Sequence, residues 1–494
     1  MSIKPPPLTP GFKVAYGVGS TAEAIVYTTT SSFLLLFYNQ VVGVPAAKVG
    51  LVLAIGLIVN AVFDPIVGSW SDRVRTRFGR RHPFMFASIL PNAICFFALF
   101  NPPDGLSITT ELIWLGIFNT LLLQMMSLFH TPHLAFGGEL SDDYLERSSV
   151  MNYNTFLMWV GDSAGWLLSF GVFFKATSEF PNGALDPDRW PLFSVAISTI
   201  IISCLAFSSF VTYKRVPFVR QNTPDAPSFS VREFLRDILR ALSNRNYVVL
   251  LIGFFFQSMM VGVRIGLWIY VATFFWQLTN DQITWFVLGS FSGYLFAAFV
   301  VKRLHKRFDK RWTGAAALLM YGVGPAIPVA LGYFGILSSS TPGILWILIA
   351  FSVLQHAPYS LLTTTVYSAL ADIADENELK YGVRQEGVLY ATRTLFARID
   401  QAIGTALAGW VITLIAFPDK ASPGEVSSVV LDNLALAFVL TTIPGLIAVI
   451  FYSMVRVTQS THDTTREALN AKKLADAAST VGAVTLPGDG SEPQ

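Results

Sequence analysis

Asn60-Ala61-Val62-Phe63-Asp64-Pro65, Gly68-Ser69-Trp70-Ser71-Asp72-Arg73 and Arg75-Thr76-Arg77-Phe78-Gly79-Arg80-Arg81 belong to one stretch. An apolar helix carries a carboxylate and then enters a dense basic loop. In a membrane protein this combination marks a helix that leaves the bilayer on the cytoplasmic side, where Lys and Arg collect in the loops. Asp64 then serves either transport chemistry or the scaffold, and the two readings stand side by side.

Working outward, the composition supports the membrane reading. The chain has 494 residues, 53% of them hydrophobic and 13% charged, with 40 phenylalanines. Its mean hydropathy is +0.53. A soluble protein of this size would need more charge to cover its surface. Spans need ~20 apolar residues each, and the sequence supplies about twelve such blocks. These are expected near 14–40, 46–70, 84–102, 109–136, 151–174, 190–212, 247–276, 283–301, 312–334, 343–370, 388–416 and 433–455. A net charge of +2 does not suggest a nucleic-acid partner. Cys95 and Cys204 both fall in apolar runs, which argues against a disulfide framework or a metal cluster. The first apolar block is too long for a cleaved signal sequence.

One set of loops holds Arg73 to Arg81, Arg147, Lys214 to Arg245 and Lys302 to Arg311, whereas the opposite set holds Lys48, Lys175, Arg189 and Lys420. The basic side is expected to be cytoplasmic, with both termini there, in a bacterial inner membrane. Four regions follow: a six-helix half over 1–212, a cytoplasmic linker over 213–246, a second six-helix half over 247–456 and a tail over 457–494. In the linker, Phe234, Leu235, Ile238 and Leu239 recur at helical spacing, which predicts an amphipathic helix along the membrane surface. The end of the tail has the composition of a disordered segment.

The halves echo each other. Phe129-His130-Thr131-Pro132-His133 matches Gln355-His356-Ala357-Pro358-Tyr359, and the basic loop after span two matches Lys302 to Arg311. The expected fold is therefore all-α, with twelve transmembrane helices in two six-helix halves, the major facilitator architecture. Its solute site lies between the halves. A membrane enzyme would need a reactive constellation, and the sequence offers none.

Ionisable groups inside spans are costly unless they are paired or face water. Glu23, Asn60 and Asp64 are the candidates for cation coupling. Asn60 and Asp64, four residues apart, share a helix face where a transient sodium ion would find oxygen ligands; no other metal is expected. Glu23 either carries a proton or is a paired carboxylate that never titrates. Candidates for solute binding are Tyr27, His130, Asp162, Arg264, Trp268, His356, Tyr359 and Arg398. Asp162 is expected to face Arg398 or another cation. The Pro132 and Pro358 segments are expected to break their helices and free backbone carbonyls. Asp72, Arg73, Arg80 and Arg81 are candidates for gating. Arg75, Arg77, Arg80 and Arg81 also suit anionic headgroups.

Several of these residues fall in one pattern. Tyr16-Gly17-Val18-Gly19, Asn60 to Gly68, Arg77-Phe78-Gly79-Arg80-Arg81-His82-Pro83, Ala371-Asp372-Ile373-Ala374-Asp375 and Arg384-Gln385-Glu386-Gly387 make the chain resemble the glycoside–pentoside–hexuronide:cation symporters of the major facilitator superfamily, the group that includes melibiose permease. The resemblance covers about residues 12–455. It implies alternating access and solute uptake coupled to protons or sodium, with no cofactor. It places the family's two span-two cation positions on Asn60 and Asp64, its span-four acid on His130 and its span-eleven lysine on Arg398. Its span-one acid falls on Ala24, beside Glu23. With Asn60 uncharged, protons are favoured over sodium. The expected partners are a sugar or glycoside and membrane lipids, and the chain is expected to act as a monomer. A facilitator of a lipid-like or amphiphilic solute is the competing reading, and a membrane sensor without turnover is another.

Overall fold

The computed structural model describes residues 7–141, 143–219, 242–308, 310–381 and 386–456, with isolated positions between 236 and 239 and between 464 and 471. The expected linker helix and the tail beyond Arg456 fall outside the described residues apart from those isolated positions. Regular structure among the described residues is helical, apart from one isolated bridge between Thr76 and Gly79 in the basic loop.

The helices are α1 (Pro10–Leu36), α2 (Ala46–Arg73), α3 (His82–Leu99), α4 (Ile108–Glu139), α5 (Tyr144–Trp166), α6 (Trp190–Tyr213), α7 (Arg245–Tyr270), α8 (Asn280–Thr284), α9 (Phe286–Arg307), α10 (Lys310–Val323), α11 (Ala326–Tyr333), α12 (Ile344–Tyr381), α13 (Glu386–Leu414), α14 (Ser428–Leu440) and α15 (Thr442–Ser453). Their starts follow capping chemistry. Thr9, Ser107, Asp143, Asn244 and Ser427 each accept a backbone N–H from the first turn of the helix that follows. Three helices change to π-helical turns at one end: Phe37–Val42 after α1, Leu167–Phe173 after α5 and Val271–Phe275 after α7.

Nine helical stretches among the described residues are long and apolar enough to cross a membrane. Helices also occupy the other three expected spans, namely α1, α9 and α13, but these are not among the nine. α1 carries Lys13, Glu23 and a Thr28-Thr29-Thr30-Ser31-Ser32 run, and α13 carries Arg393, Arg398 and Asp400. All three contribute to the central cavity described below. Of these, Glu23, Thr28, Thr30, Ser31, Ser32 and Arg398 line that cavity, whereas Lys13 pairs with Glu146.

Helix α13 is held on two sides by glycine contacts. A Cβ on Gly409 would strike the Ala46 carbonyl of α2 and lie 3.1 Å from Gly50 Cα. One on Gly404 would lie 2.7 Å from the Met259 carbonyl of α7. Small residues let helix backbones approach this closely in a membrane, and the contacts fix where α13 presents Arg398. A buried aromatic group of Phe33, Phe37, Phe100, Trp190 and Phe193 fills the core between α1, α3 and α6; Phe100 and Trp190 stack with centroids 5.2 Å apart.

The structure departs from the expected helix breaks. α4 runs through Pro132 and α12 runs through Pro358 without interruption. The actual breaks are at Gly324-Pro325, between α10 and α11, and at Thr441, between α14 and α15. A proline removes one helix hydrogen bond, and the flanking turns here hold the helix together.

Candidate functional site

A cavity of about 670 Å³ is lined by α1, α2, α4 and α5 on one side and by α7, α9, α10, α12 and α13 on the other. Its size falls within the usual range for small-molecule sites, about 300–1,000 Å³. Glu23, Tyr27, Asn60, His130, Asp162, Arg264, Trp268, His356, Tyr359 and Arg398 all line it.

Two close contacts between an acidic and a basic side chain stand at this cavity. Glu23 Oε2 lies 2.5 Å from His130 Nδ1, joining α1 to α4. Asp64 Oδ2 lies 3.4 Å from Arg398 Nη2, joining α2 to α13. Asp64 is not itself a lining residue and reaches the cavity through Arg398. The Ser127 hydroxyl donates to Asn60 Oδ1 at 2.8 Å, so the Asn60 oxygen is already engaged. Gln401 Nε2 donates to the Tyr27 hydroxyl at 3.0 Å and ties α13 to α1.

Asp162 does not meet Arg398. It accepts a short hydrogen bond from the Thr28 hydroxyl, while Arg398 pairs with Asp64. The helical geometry explains this: Asp162 on α5 packs toward α1, whereas Arg398 on α13 packs toward α2. Arg264 borders the cavity, but most of its guanidinium is committed elsewhere. It donates to Thr441 Oγ1 at 2.8 Å, to the Tyr321 carbonyl at 3.0 Å, to Thr442 Oγ1 at 3.0 Å and to the Gly322 carbonyl, and it lies over the Phe438 ring. These acceptors flank the breaks at Gly324-Pro325 and Thr441, where helix carbonyls lose their usual partners. His356 Nδ1 donates to the Ser352 carbonyl at 2.8 Å and its ring meets Tyr294 edge-on. His133, at the end of the repeated segment, is buried against Tyr16 in a 4.2 Å stack, with Nε2 2.9 Å from the Tyr16 carbonyl.

The gating candidates form a cluster at the basic end of α2. Asp72 pairs with Arg81 at 2.6 Å, and Glu139, the last residue of α4, pairs with Arg80 at 2.6 Å and with Arg81 at 2.8 Å. Arg81 also donates to the Ser71 hydroxyl. Arg73 is the last residue of α2.

The opposite end of the bundle is bridged between early and late parts of the chain. Asn39 Nδ2 donates to Asp419 at 2.6 Å, the Tyr270 hydroxyl donates to Asn39 Oδ1 at 2.9 Å, and Gln40 bonds the Pro418 carbonyl and the Ala421 N–H. Asn182 donates to Thr273, and Trp166 donates to the Ile283 carbonyl. Two of the π-helical turns supply Asn39, Gln40 and Thr273.

A family profile described as MFS/sugar transport protein matches residues 15–458. The chain belongs to that family. Within it, the inner membrane symporter YicJ of Escherichia coli is 25% identical over 451 residues, covering 90% of this chain and 91% of its own. The lactose permease of Lactobacillus delbrueckii is 21% identical, covering 91% of this chain and 71% of its own. The isoprimeverose transporter of Lactiplantibacillus pentosus is 22% identical, covering 81% and 79%. Among solved structures, an inward-facing bacterial homologue of the lysosomal transporter Spinster matches with a TM-score of 0.66, at 13% identity over 93% of this chain and 98% of its own. A D-xylose–proton symporter matches with a TM-score of 0.55, at 13% identity over 90% and 96%. The fold is thus that of the major facilitator transporters, and the chain is a multi-pass membrane carrier. The likeness stands at the level of sugar–cation symporters and does not single out the melibiose permeases.

Some cavity residues had escaped the sequence reading. Trp159 and Tyr294 stack with centroids 5.4 Å apart and planes 9° apart, linking α5 to α9. Trp159 lies three positions before Asp162 and so on its face, a signal that local spacing does carry. Tyr294, Ser127 and Gln401 gave no such signal, because their roles rest on contacts with distant helices.

Proposed function

We propose that this MFS/sugar transport family member is a secondary active symporter that moves a sugar or glycoside by alternating access, with protons favoured over sodium as the coupling ion. The observation that carries this reading is the pair of ionic contacts, Glu23–His130 and Asp64–Arg398, at one solute-sized cavity. A proton taken up by the Glu23–His130 pair neutralises the carboxylate and loosens its hold on the imidazole. Glu23 and His130 then become available to solute hydroxyls. Asp64–Arg398 links helices from opposite ends of the sequence, so a change at the cavity is felt where α2 meets α13. Protons are favoured because Asp64 already faces a guanidinium and Asn60 is uncharged, which weakens a sodium site there. The names of the relatives, a symporter and carriers of lactose and isoprimeverose, support the same solute class.

The two six-helix halves, 1–212 and 247–456, are the moving bodies in this proposal. With the Arg73–Arg81 loop on the cytoplasmic side, the bridges from Asn39, Gln40 and Tyr270 to Asp419 and its neighbours seal the outer end. The structure is then an inward-facing state, and Asp72, Arg80, Arg81 and Glu139 brace the inner end of the first half. Purified protein in liposomes tests the assignment: uptake driven by an imposed pH gradient supports it, and uptake driven only by a sodium gradient replaces protons with sodium.

A further inference from the structure

The basic loop after α2 recurs after α9, and the two copies differ in how their charge is met. In the first, acids answer the arginines: Glu139 pairs with Arg80 and Arg81, and Asp72 pairs with Arg81. In the second, residues 302–312 carry six Lys or Arg against one acid, Asp309. Arg303 and Arg307 are exposed and have no acidic partner among the described residues. Arg307 lies over the Phe308 ring and Arg311 over the Trp312 ring, and both rings are exposed.

The face of α9 that carries these arginines continues as an apolar stripe. Leu295, Phe299, Arg303 and Arg307 follow at four-residue spacing and so lie along one side of the helix. Leu288, Phe291, Leu295 and Phe299 are all exposed, Phe299 at 68%. From Leu288 to Phe299 the stripe runs about 16 Å, which matches one leaflet of a hydrocarbon core about 30 Å thick. The arginines then stand at headgroup depth beside Trp312, a side chain that favours that interface.

We propose that this face of α9 docks an anionic phospholipid from the leaflet on the side of the basic loops. Its acyl chains lie along the stripe from Leu288 to Phe299, and its phosphate accepts from Arg303 and Arg307. A guanidinium presents its N–H groups as a fork that fits phosphate oxygens, and each basic residue beside an anionic bilayer surface favours binding by about 5-fold. A zwitterionic phospholipid offers the same chains and phosphate but brings its own cation to the arginines, so net negative charge decides the preference. The site is independent of the solute and of the coupling ion.

The test uses the whole chain in nanodiscs of equal phosphatidylglycerol and phosphatidylcholine with the same acyl chains. Native mass spectrometry then counts the lipid that stays bound on release. The unaltered protein is expected to retain phosphatidylglycerol over phosphatidylcholine by about 5-fold or more. Arg303→Gln with Arg307→Gln should remove that preference, and both side chains are exposed, so the fold does not depend on them. Arg303→Lys with Arg307→Lys should keep most of it, and Lys48→Gln with Lys175→Gln, in the opposite loops, should leave it intact. No preference in the unaltered protein, a preference that survives the glutamine pair, or an equal loss in the Lys48 and Lys175 variant would overturn the assignment.

Discussion

Neutralising both partners of Asp64–Arg398 should cost less than the two single neutralisations added together. The two groups are 3.4 Å apart, with side chains 24% and 28% exposed. At an effective dielectric of about 20, two unit charges at this distance attract by ~5 kcal/mol. Desolvation of both groups offsets much of that attraction, which leaves a net coupling of ~1–2 kcal/mol. Asp64→Asn strands the Arg398 guanidinium between α2 and α13, and Arg398→Gln strands the Asp64 carboxylate. The double variant strands neither. Equilibrium unfolding in mixed micelles, followed by tryptophan fluorescence, supplies the four free energies of a double-mutant cycle. The two single losses should exceed the loss in the double variant by ~1–2 kcal/mol. If the single effects add to the double within ~0.5 kcal/mol, the residues are uncoupled, and the contact between α2 and α13 does not rest on this pair.

Three further outcomes follow from named contacts. Asn39→Asp places a carboxylate against Asp419, where the amide now sits at 2.6 Å; like charges there should raise the reactivity of a cysteine introduced at the outer end of the cavity about 5- to 30-fold, corresponding to ~1–2 kcal/mol. Gly409→Val drives a side chain into the Ala46 carbonyl and should lower stability by ~1–3 kcal/mol in the same unfolding assay, whereas Gly11→Ala, with open space around it, should change little. Arg264→Met leaves the Tyr321 and Gly322 carbonyls without their donor and should lower stability by ~1–3 kcal/mol for each carbonyl left unpaired, with no change in the ion that drives transport.

The sequence was most informative where the signal is local. The basic loop after α2 and the charged positions of α1 and α13 were readable from neighbouring residues. Asp64 and Asn60 share a helix face by spacing, yet their partners do not follow from it. Asp64 finds Arg398 and Asn60 finds Ser127 only because glycines let α13 approach α2 and the bundle brings α4 beside α2. The same limit explains Asp162, expected to meet a cation and found with Thr28. Arg264 looked like a binding residue because a charge in a span invites that reading. The breaks at Gly324-Pro325 and Thr441, which create its acceptors, lie on other helices. The bridge at the end of the bundle opposite the basic loop was invisible for a related reason: Asn39 and Asp419 are ordinary polar residues until the fold brings them together.

Solute-linked proton movement tests the central claim most directly. Proteoliposomes are clamped at zero membrane potential in weak buffer, with a trapped pH indicator, and receive a sugar or glycoside that the unaltered protein takes up. The Glu23–His130 pair predicts that protons enter with the solute, and that Glu23→Gln retains solute exchange between loaded and external pools while losing proton entry. Solute entry without proton movement in the unaltered protein, or undiminished proton entry in Glu23→Gln, would contradict the account.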